Sequence, residues 1–183
     1  MKQYMKQTIR LTVLTSLLLA SALPILTALG DTDDLNTEAD KAIKALQSAD
    51  SGLTNLFSNA AGFAVFPSIG KGGLIFGVEH GNGLVYENGK PVGEATLTEI
   101  NVGLQAGGQV FYEVIFFETA EALANFKQSN FEMSAKVSAV AAAEGASLNA
   151  KYREGVLVFT LAKTGLMAQV SVGGQKFKYK ALN

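Results

Sequence analysis

Short runs of strand-forming residues separated by glycine dominate the middle of the chain. Twelve of the 19 glycines lie between Gly62 and Gly108, among runs rich in Val, Ile, Phe and Tyr. Asn88-Gly89 follows the run that ends at Glu87, and this pair favours a hairpin turn because both central positions of a type I′ turn need positive φ. A two-residue loop joins only antiparallel strands. The centre of the chain therefore predicts an antiparallel sheet with strands at 63–66, 74–79, 83–87, 100–105 and 109–117.

Three further strands are predicted in the last third of the chain, at 155–162, 166–172 and 175–182. In the last of these, Phe177 and Tyr179 alternate with three lysines, which are Lys176, Lys178 and Lys180. This alternation predicts one apolar face over a core and one face of lysines in water. A similar alternation over 133–139 predicts another strand, although the alanines there also favour a helix.

Two helices are predicted before the sheet and one within the second half. Apolar residues from Leu35 to Ala49 recur every three or four positions behind an acidic start, as expected for one face of a helix. The second predicted helix covers 53–60, and the third follows Thr119 as its N-cap and extends through 130. Together these elements predict an α+β fold with a strongly curved, largely antiparallel sheet, for which a partly closed barrel is one expected form.

Residues 1–30 have the pattern of a targeting segment. Three cations within the first ten residues precede an apolar run over 11–23, and small residues lead to Gly30, an order typical of a secretory signal peptide. An uncleaved anchor is the alternative, but it needs about 20 unbroken apolar residues, and four hydroxyl residues and Pro24 interrupt this stretch. We expect cleavage after Gly30, with Ala22 as the second choice. Residues 31–183 would then form a single soluble domain, periplasmic or secreted.

Composition excludes several classes of site. The chain has no Cys, so disulfides, thiolate metal sites and cysteine nucleophiles are excluded. It has one His, which is too few for the usual histidine-based metal sites. The formal net charge is −1, and it becomes −4 once the three cations of the leader are removed. Because a nucleic-acid binder carries a basic excess, no nucleic-acid partner is expected.

No catalytic or cofactor motif stands out. Neither of the common glycine-rich phosphate-binding patterns occurs, and glycines such as Gly81 and Gly83 are interpreted as turns and bulges. His80 is interpreted as a surface imidazole near a turn, because it lacks partners at metal-ligand spacing. Glu113 and Glu118 flank an apolar run, but nothing in the sequence marks either as an acid–base group. We therefore expect no enzyme activity, no metal site and no cofactor.

Four lysines are candidate binding residues. Lys71 lies in the glycine-rich segment 67–73, which is interpreted as a loop. Lys176, Lys178 and Lys180 would stand about 7 Å apart on one face of a strand. The alternative is that these lysines solvate an edge strand and block aggregation, a common use of lysine. Residue patterns alone leave both interpretations open.

Several motifs in the same order resemble the SYLF domain family. Phe66-Pro67 followed by Lys71 and spaced glycines has the form FPxxxKxGxxxGxxxGxG. Residues 103–109 read GLQAGGQ, and residues 165–172 read GLMAQVSV. The resemblance extends from about residue 39 to the end of the chain.

The resemblance implies binding to membrane lipids, and actin bundling in the yeast branch of the family. Actin is not expected as a partner of an exported protein. We expect instead a non-catalytic domain that binds an anionic phospholipid or a membrane surface, with Lys71, Lys176, Lys178 and Lys180 as its site. Useful affinity would need an added apolar contribution, from the helical face of Leu35, Ile43 and Leu46 or from an acyl pocket. The alternative is a structural or protein-interaction module of the cell envelope, with an envelope protein as partner and no lipid ligand.

Overall fold

The computed structural model describes residues 32–72, 76–102, 109–128, 130–163 and 172–182. All of them lie within one compact unit, Asp31–Asn183. The predicted leader over 1–30 lies outside the described residues. So do most of the predicted strand at 166–172, parts of those at 74–79 and 100–105, and nearly all of the motif segments 103–109 and 165–172.

Within the described residues the chain forms three α helices and eight strands. The helices are α1 (Thr32–Ala49), α2 (Leu53–Asn59) and α3 (Ala120–Phe126). The strands are β1 (Gly62–Gly72), β2 (Phe76–Glu87), β3 (Lys90–Val102), β4 (Gln109–Phe117), β5 (Phe131–Glu132), β6 (Ala139–Ala141), β7 (Val156–Ala162) and β8 (Lys176–Ala181). A 3₁₀ turn, Ala146–Asn149, lies between β6 and β7.

The strands form one sheet in the order β5-β8-β3-β2-β1-β4-β7-β6. Neighbouring strands are antiparallel except β6 and β7, which are parallel. The sheet is mixed and strongly curled into a half-barrel, and it combines with the helices into an α+β fold. The predicted fold class is confirmed.

The hairpin between β2 and β3 has the predicted turn. Asn88 has φ 51° and Gly89 has φ 72°, and Glu87 pairs with Lys90 across the turn. Pro91 stands at the second position of β3, where the strand begins and the missing N–H costs least. A local sequence signal was sufficient here because the turn depends on the conformations of two adjacent residues.

The segment predicted as a loop at 67–73 is instead part of β1 as far as Gly72. The strand continues past Pro67 because its register shifts between Phe66 and Ile69 against β4, and such a bulge accommodates a residue without an N–H. On β2, a Cβ at Gly83 would lie only 2.5 Å from the carbonyl oxygen of Val65. The missing side chain at Gly83 therefore allows β1 and β2 to approach closely. The sequence predicted two separate strands with a break between them, whereas β2 is one continuous strand from Phe76 to Glu87.

Helices cover the central part of the sheet, around β1, on both faces. One face, called the α3 face, packs against α3, and the rings of Phe117 and Phe126 are 4.9 Å apart there. The other, called the α1 face, packs against α1 and α2, with Leu46 and Leu53 fully buried. Burial on both faces explains why the whole run from 113 to 117 in β4 is buried.

Two predicted elements of the second half differ from the structure. Thr119 caps α3 as predicted, and its hydroxyl accepts a hydrogen bond from the Ala122 amide at 3.1 Å. The helix ends at Phe126 instead of 130. The strand predicted over 133–139 is wrong: most of this segment is a turn-containing connection between β5 and β6. Met133 and Val137 lie in this connection and are buried in the core of the α3 face. They are an even number of residues apart, which is also the spacing of side chains on one face of a strand.

Candidate functional site

The lysines of β8 form one exposed row, which we call the lysine row: Lys176, Lys178 and Lys180. All three are exposed, whereas Phe177 between them is fully buried and Tyr179 is half-buried. The predicted alternation of β8 is confirmed. Because Lys180 pairs with Glu94, and Glu94 pairs with Leu84 of the α1-face core, the row lies on the same face of the sheet as α1 and α2.

Polar and acidic side chains of neighbouring strands surround the lysine row. Lys178 stands opposite Thr96, whose hydroxyl donates a hydrogen bond to the Asn82 side-chain oxygen at 3.1 Å. The Lys176 Nζ lies 3.8 Å from a carboxylate oxygen of Glu132 in β5, and both side chains are exposed. Exposed pairs of this kind contribute at most about 1 kcal/mol, so the row remains accessible to an external anion.

Lys71 is not part of the lysine row. Its backbone lies in β1, paired with Glu79 of β2 and Gln109 of β4. Two strands, β2 and β3, separate β1 from β8, which places its Cα roughly 14 Å from β8 measured across the sheet. The prediction that Lys71 lies in a loop is therefore corrected, and the structure does not bring it beside the other three lysines.

The apolar face of α1 is occupied by the protein's own core. Leu46 is fully buried, and Leu35 and Ile43 pack against the same cluster on the α1 face. Leu46 is therefore not available for an apolar membrane contact in this conformation, and Leu35 and Ile43 are only partly exposed. No helix in the described part of the chain is long and apolar enough to cross a bilayer.

His80 lies within β2 and is exposed, paired with Gly70 and Thr98 on the two neighbouring strands. Among the described residues, no group of three His, Asp or Glu side chains could hold a metal ion. His80 is thus a surface residue in the middle of a strand, whereas the sequence placed it at a strand end.

A buried carboxylate on β4 is the feature that sequence reasoning undervalued. Glu113 is fully buried, and it accepts a hydrogen bond from the Gln175 side-chain nitrogen at 3.2 Å. Burial raises the pKa of Glu113 to about 8; the nearby charges of Glu79 and Glu99 add to this, and the hydrogen bond from Gln175 opposes it. The sequence contained a sign of this burial, because Glu113 lies on the same face of β4 as the core residues Phe111 and Ile115.

Comparison with known proteins agrees with the resemblance drawn from the motifs. Residues 98–181 match the family model Ysc84, described as a Las17-binding protein actin regulator. Over residues 98–181 the chain is thus similar to a Ysc84-type, or SYLF, domain. A curated protein, beta cell expansion factor A of Aeromonas veronii, is 31% identical over 145 residues, which cover 78% of this chain and 55% of the relative. The chain thus spans about half the length of that relative.

The SYLF match begins inside β3 and ends at the last residue of β8. It contains the lysine row and Glu113, and it leaves out Lys71. Of the four predicted site residues, the three that the structure brings together are also the three inside the matched range.

Proposed function

We propose that this SYLF-like domain is a non-catalytic module that binds an anionic lipid or membrane surface through the lysine row. The observation that supports it is the arrangement of β8, where three exposed ammonium groups stand on one face of a strand and Phe177 anchors the same strand in the core. A strand fixed in a sheet presents its charges at a constant spacing of about 7 Å. Such a row can contact several lipid headgroups at once.

The expected affinity is low. Each lysine near an anionic bilayer contributes about 1 kcal/mol, so the row contributes roughly 3 kcal/mol. Glu132 beside Lys176 and Glu94 opposite Lys180 reduce this attraction. Because the attraction decays within a Debye length of about 8 Å at physiological salt, binding should weaken steeply as salt is added.

Export is part of the same proposal. The basic, apolar and small-residue order of residues 1–30 supports a cleaved leader, and the exported chain would begin at Asp31. The family description names actin regulation, but an exported domain would meet lipids and envelope proteins and not actin.

Sedimentation with vesicles tests the lipid proposal. Vesicles of phosphatidylglycerol and phosphatidylcholine should retain the protein at low salt, and phosphatidylcholine alone should not. The variant Lys176→Glu/Lys178→Glu/Lys180→Glu should bind at least about tenfold more weakly, equivalent to 1.4 kcal/mol, with its circular dichroism unchanged.

A charge-matched control separates the lysine row from net charge. Lys41, Lys44 and Lys90 are exposed elsewhere on the molecule, and reversing all three should leave most of the vesicle binding intact. If the β8 variant binds as well as the parent protein at low salt, the row only solvates the sheet. The alternative is then favoured, namely a structural or protein-interaction module of the envelope. In that case the lysines only solvate the sheet or form ion pairs within the protein, as Lys176 does with Glu132.

A further inference from the structure

Three basic side chains from two separate segments converge on a pocket beside β6 and β7. The pocket has a volume of about 410 Å³, within the range of about 300–1,000 Å³ that is usual for small-molecule sites. Lys136, Lys151 and Arg153 line it, while Val140 and Leu157 provide an apolar wall. It lies at the β6 end of the strand order, and the lysine row lies near the β5 end.

Arg153 is presented by a rigid turn. Its amide donates to the carbonyl of Val156 at 2.8 Å, and the Val156 amide donates back at 2.9 Å. Glu154 and Gly155 between them have φ 50° and 78°, as in a type I′ turn. Because these bonds use only the backbone, the Arg153 side chain can be changed without loss of the turn.

The two lysines are held by neighbours that pack against the core. Val137, next to Lys136, is buried in the α3-face core, and its amide bonds to the carbonyl of Ser134 at 3.0 Å. Tyr152, between Lys151 and Arg153, packs against the α1-face core, so the side chains on either side of it are left exposed. All three cations are therefore attached to anchored backbone, which lowers the entropy lost on binding.

The charges of the pocket are only partly compensated. The Lys136 Nζ lies 3.5 Å from a carboxylate oxygen of Glu154, and both side chains are largely exposed. Within the described part of the chain, no carboxylate forms an ion pair with Lys151 or Arg153. The pocket thus carries an excess of positive charge on a chain whose net charge is −1.

We propose that this pocket binds a phosphate monoester, with Arg153, Lys151 and Lys136 contacting its oxygens and the carbon portion lying against Val140 and Leu157. The planar guanidinium of arginine matches two oxygens of a phosphate, and the lysines act as point charges around it. A soluble phosphate ester and the headgroup of phosphatidic acid share this chemistry. No residue of the lysine row lines this pocket.

Calorimetric titration of the full chain with glycerol 3-phosphate tests the site directly. Binding should weaken at least about tenfold in Arg153→Gln and in Lys151→Gln, since each loses a charge-assisted hydrogen bond. Glu154→Gln should have the opposite effect and tighten binding by about two- to fivefold, because it removes a repelling carboxylate and releases Lys136. Lys90→Gln, an exposed lysine outside the pocket, should bind like the parent protein, and thermal unfolding should show that every variant is folded.

A second arm assigns the source of the phosphate. Vesicles that contain phosphatidic acid should bind more tightly than vesicles of phosphatidylglycerol, in a manner that depends on Arg153, if the natural source is a lipid. Binding of glycerol 3-phosphate without this preference assigns a soluble ester. The triple lysine-row variant should keep its affinity for glycerol 3-phosphate, so that failure of the membrane proposal would leave this result intact. The proposal would be overturned if the parent protein bound neither glycerol 3-phosphate nor phosphatidic acid vesicles. It would also be overturned if folded Arg153→Gln bound as well as the parent protein, or if Glu154→Gln bound more weakly.

Discussion

The buried carboxyl of Glu113 should make the stability of the domain fall as the pH rises. The group has a pKa of about 8 in the folded protein and about 4.5 in the unfolded chain, so the folded state holds its proton more tightly. A raised pKa contributes stability that is fully present below pH 4.5 and is lost as the pH rises to about 8. Glu79 and Glu99 are buried nearby and Gln175 contacts the carboxyl, so these groups define its surroundings.

The magnitude follows from the linkage between proton binding and folding. Between these two pKa values the free energy of unfolding falls by about 1.4 kcal/mol per pH unit. From pH 5 to pH 8 the loss from this single group is roughly 3–4 kcal/mol, because the slope flattens at each end. Such a loss is a large share of the 5–15 kcal/mol that is typical of a whole domain.

The variant Glu113→Gln isolates this contribution, since it keeps the shape of the side chain and cannot ionise. Urea unfolding followed by circular dichroism should give similar stabilities for the variant and the parent protein near pH 5, and a variant more stable by several kcal/mol at pH 8. Glu118→Gln, which removes an exposed carboxylate just beyond the same strand, is the matched control and should follow the parent protein. A difference between Glu113→Gln and the parent protein that does not grow with pH would refute the reasoning.

Two further predictions concern single contacts. Burial alone would raise the pKa of Asp50, but hydrogen bonds from the Ser147 amide at 2.6 Å and hydroxyl at 2.9 Å, with others from backbone amides, outweigh it and lower the pKa. The stability that this carboxylate contributes is present above about pH 3.8 and is lost in acid. Asp50→Asn should therefore lower the free energy of unfolding by about 2 kcal/mol at pH 7, and its stability should depend less on acid. An acid-unfolding curve identical to that of the parent protein would contradict this. A Cβ at Gly93 would lie 2.1 Å from the Tyr179 ring, so Gly93→Ala should lower the urea midpoint by the equivalent of about 1–3 kcal/mol, and less in a Tyr179→Ala background; equal losses in both backgrounds would show that the ring is not the cause.

Local patterns were sufficient for elements whose conformation depends on adjacent residues. The turn at Asn88-Gly89, the cap at Thr119 and the alternation of β8 each reflect dihedral preferences or side-chain period, and each is confirmed. The parallel pairing of β6 with β7 was not predictable in this way. Pairing of residues distant along the chain depends on which surfaces remain to be covered, and no short segment records that.

The sequence by itself determined an α+β chain with N-terminal helices, a hairpin and a strand that turns its lysines to water, because spacing alone decides which side chains share a face. Only the tertiary structure decided that Glu113 is buried beside two other carboxylates, that Lys71 lies apart from the lysine row, and that Lys136 meets Lys151 and Arg153. Burial and proximity are properties of the packed sheet: a charge acquires a shifted pKa or a partner from residues that are distant in the chain and become neighbours only on folding.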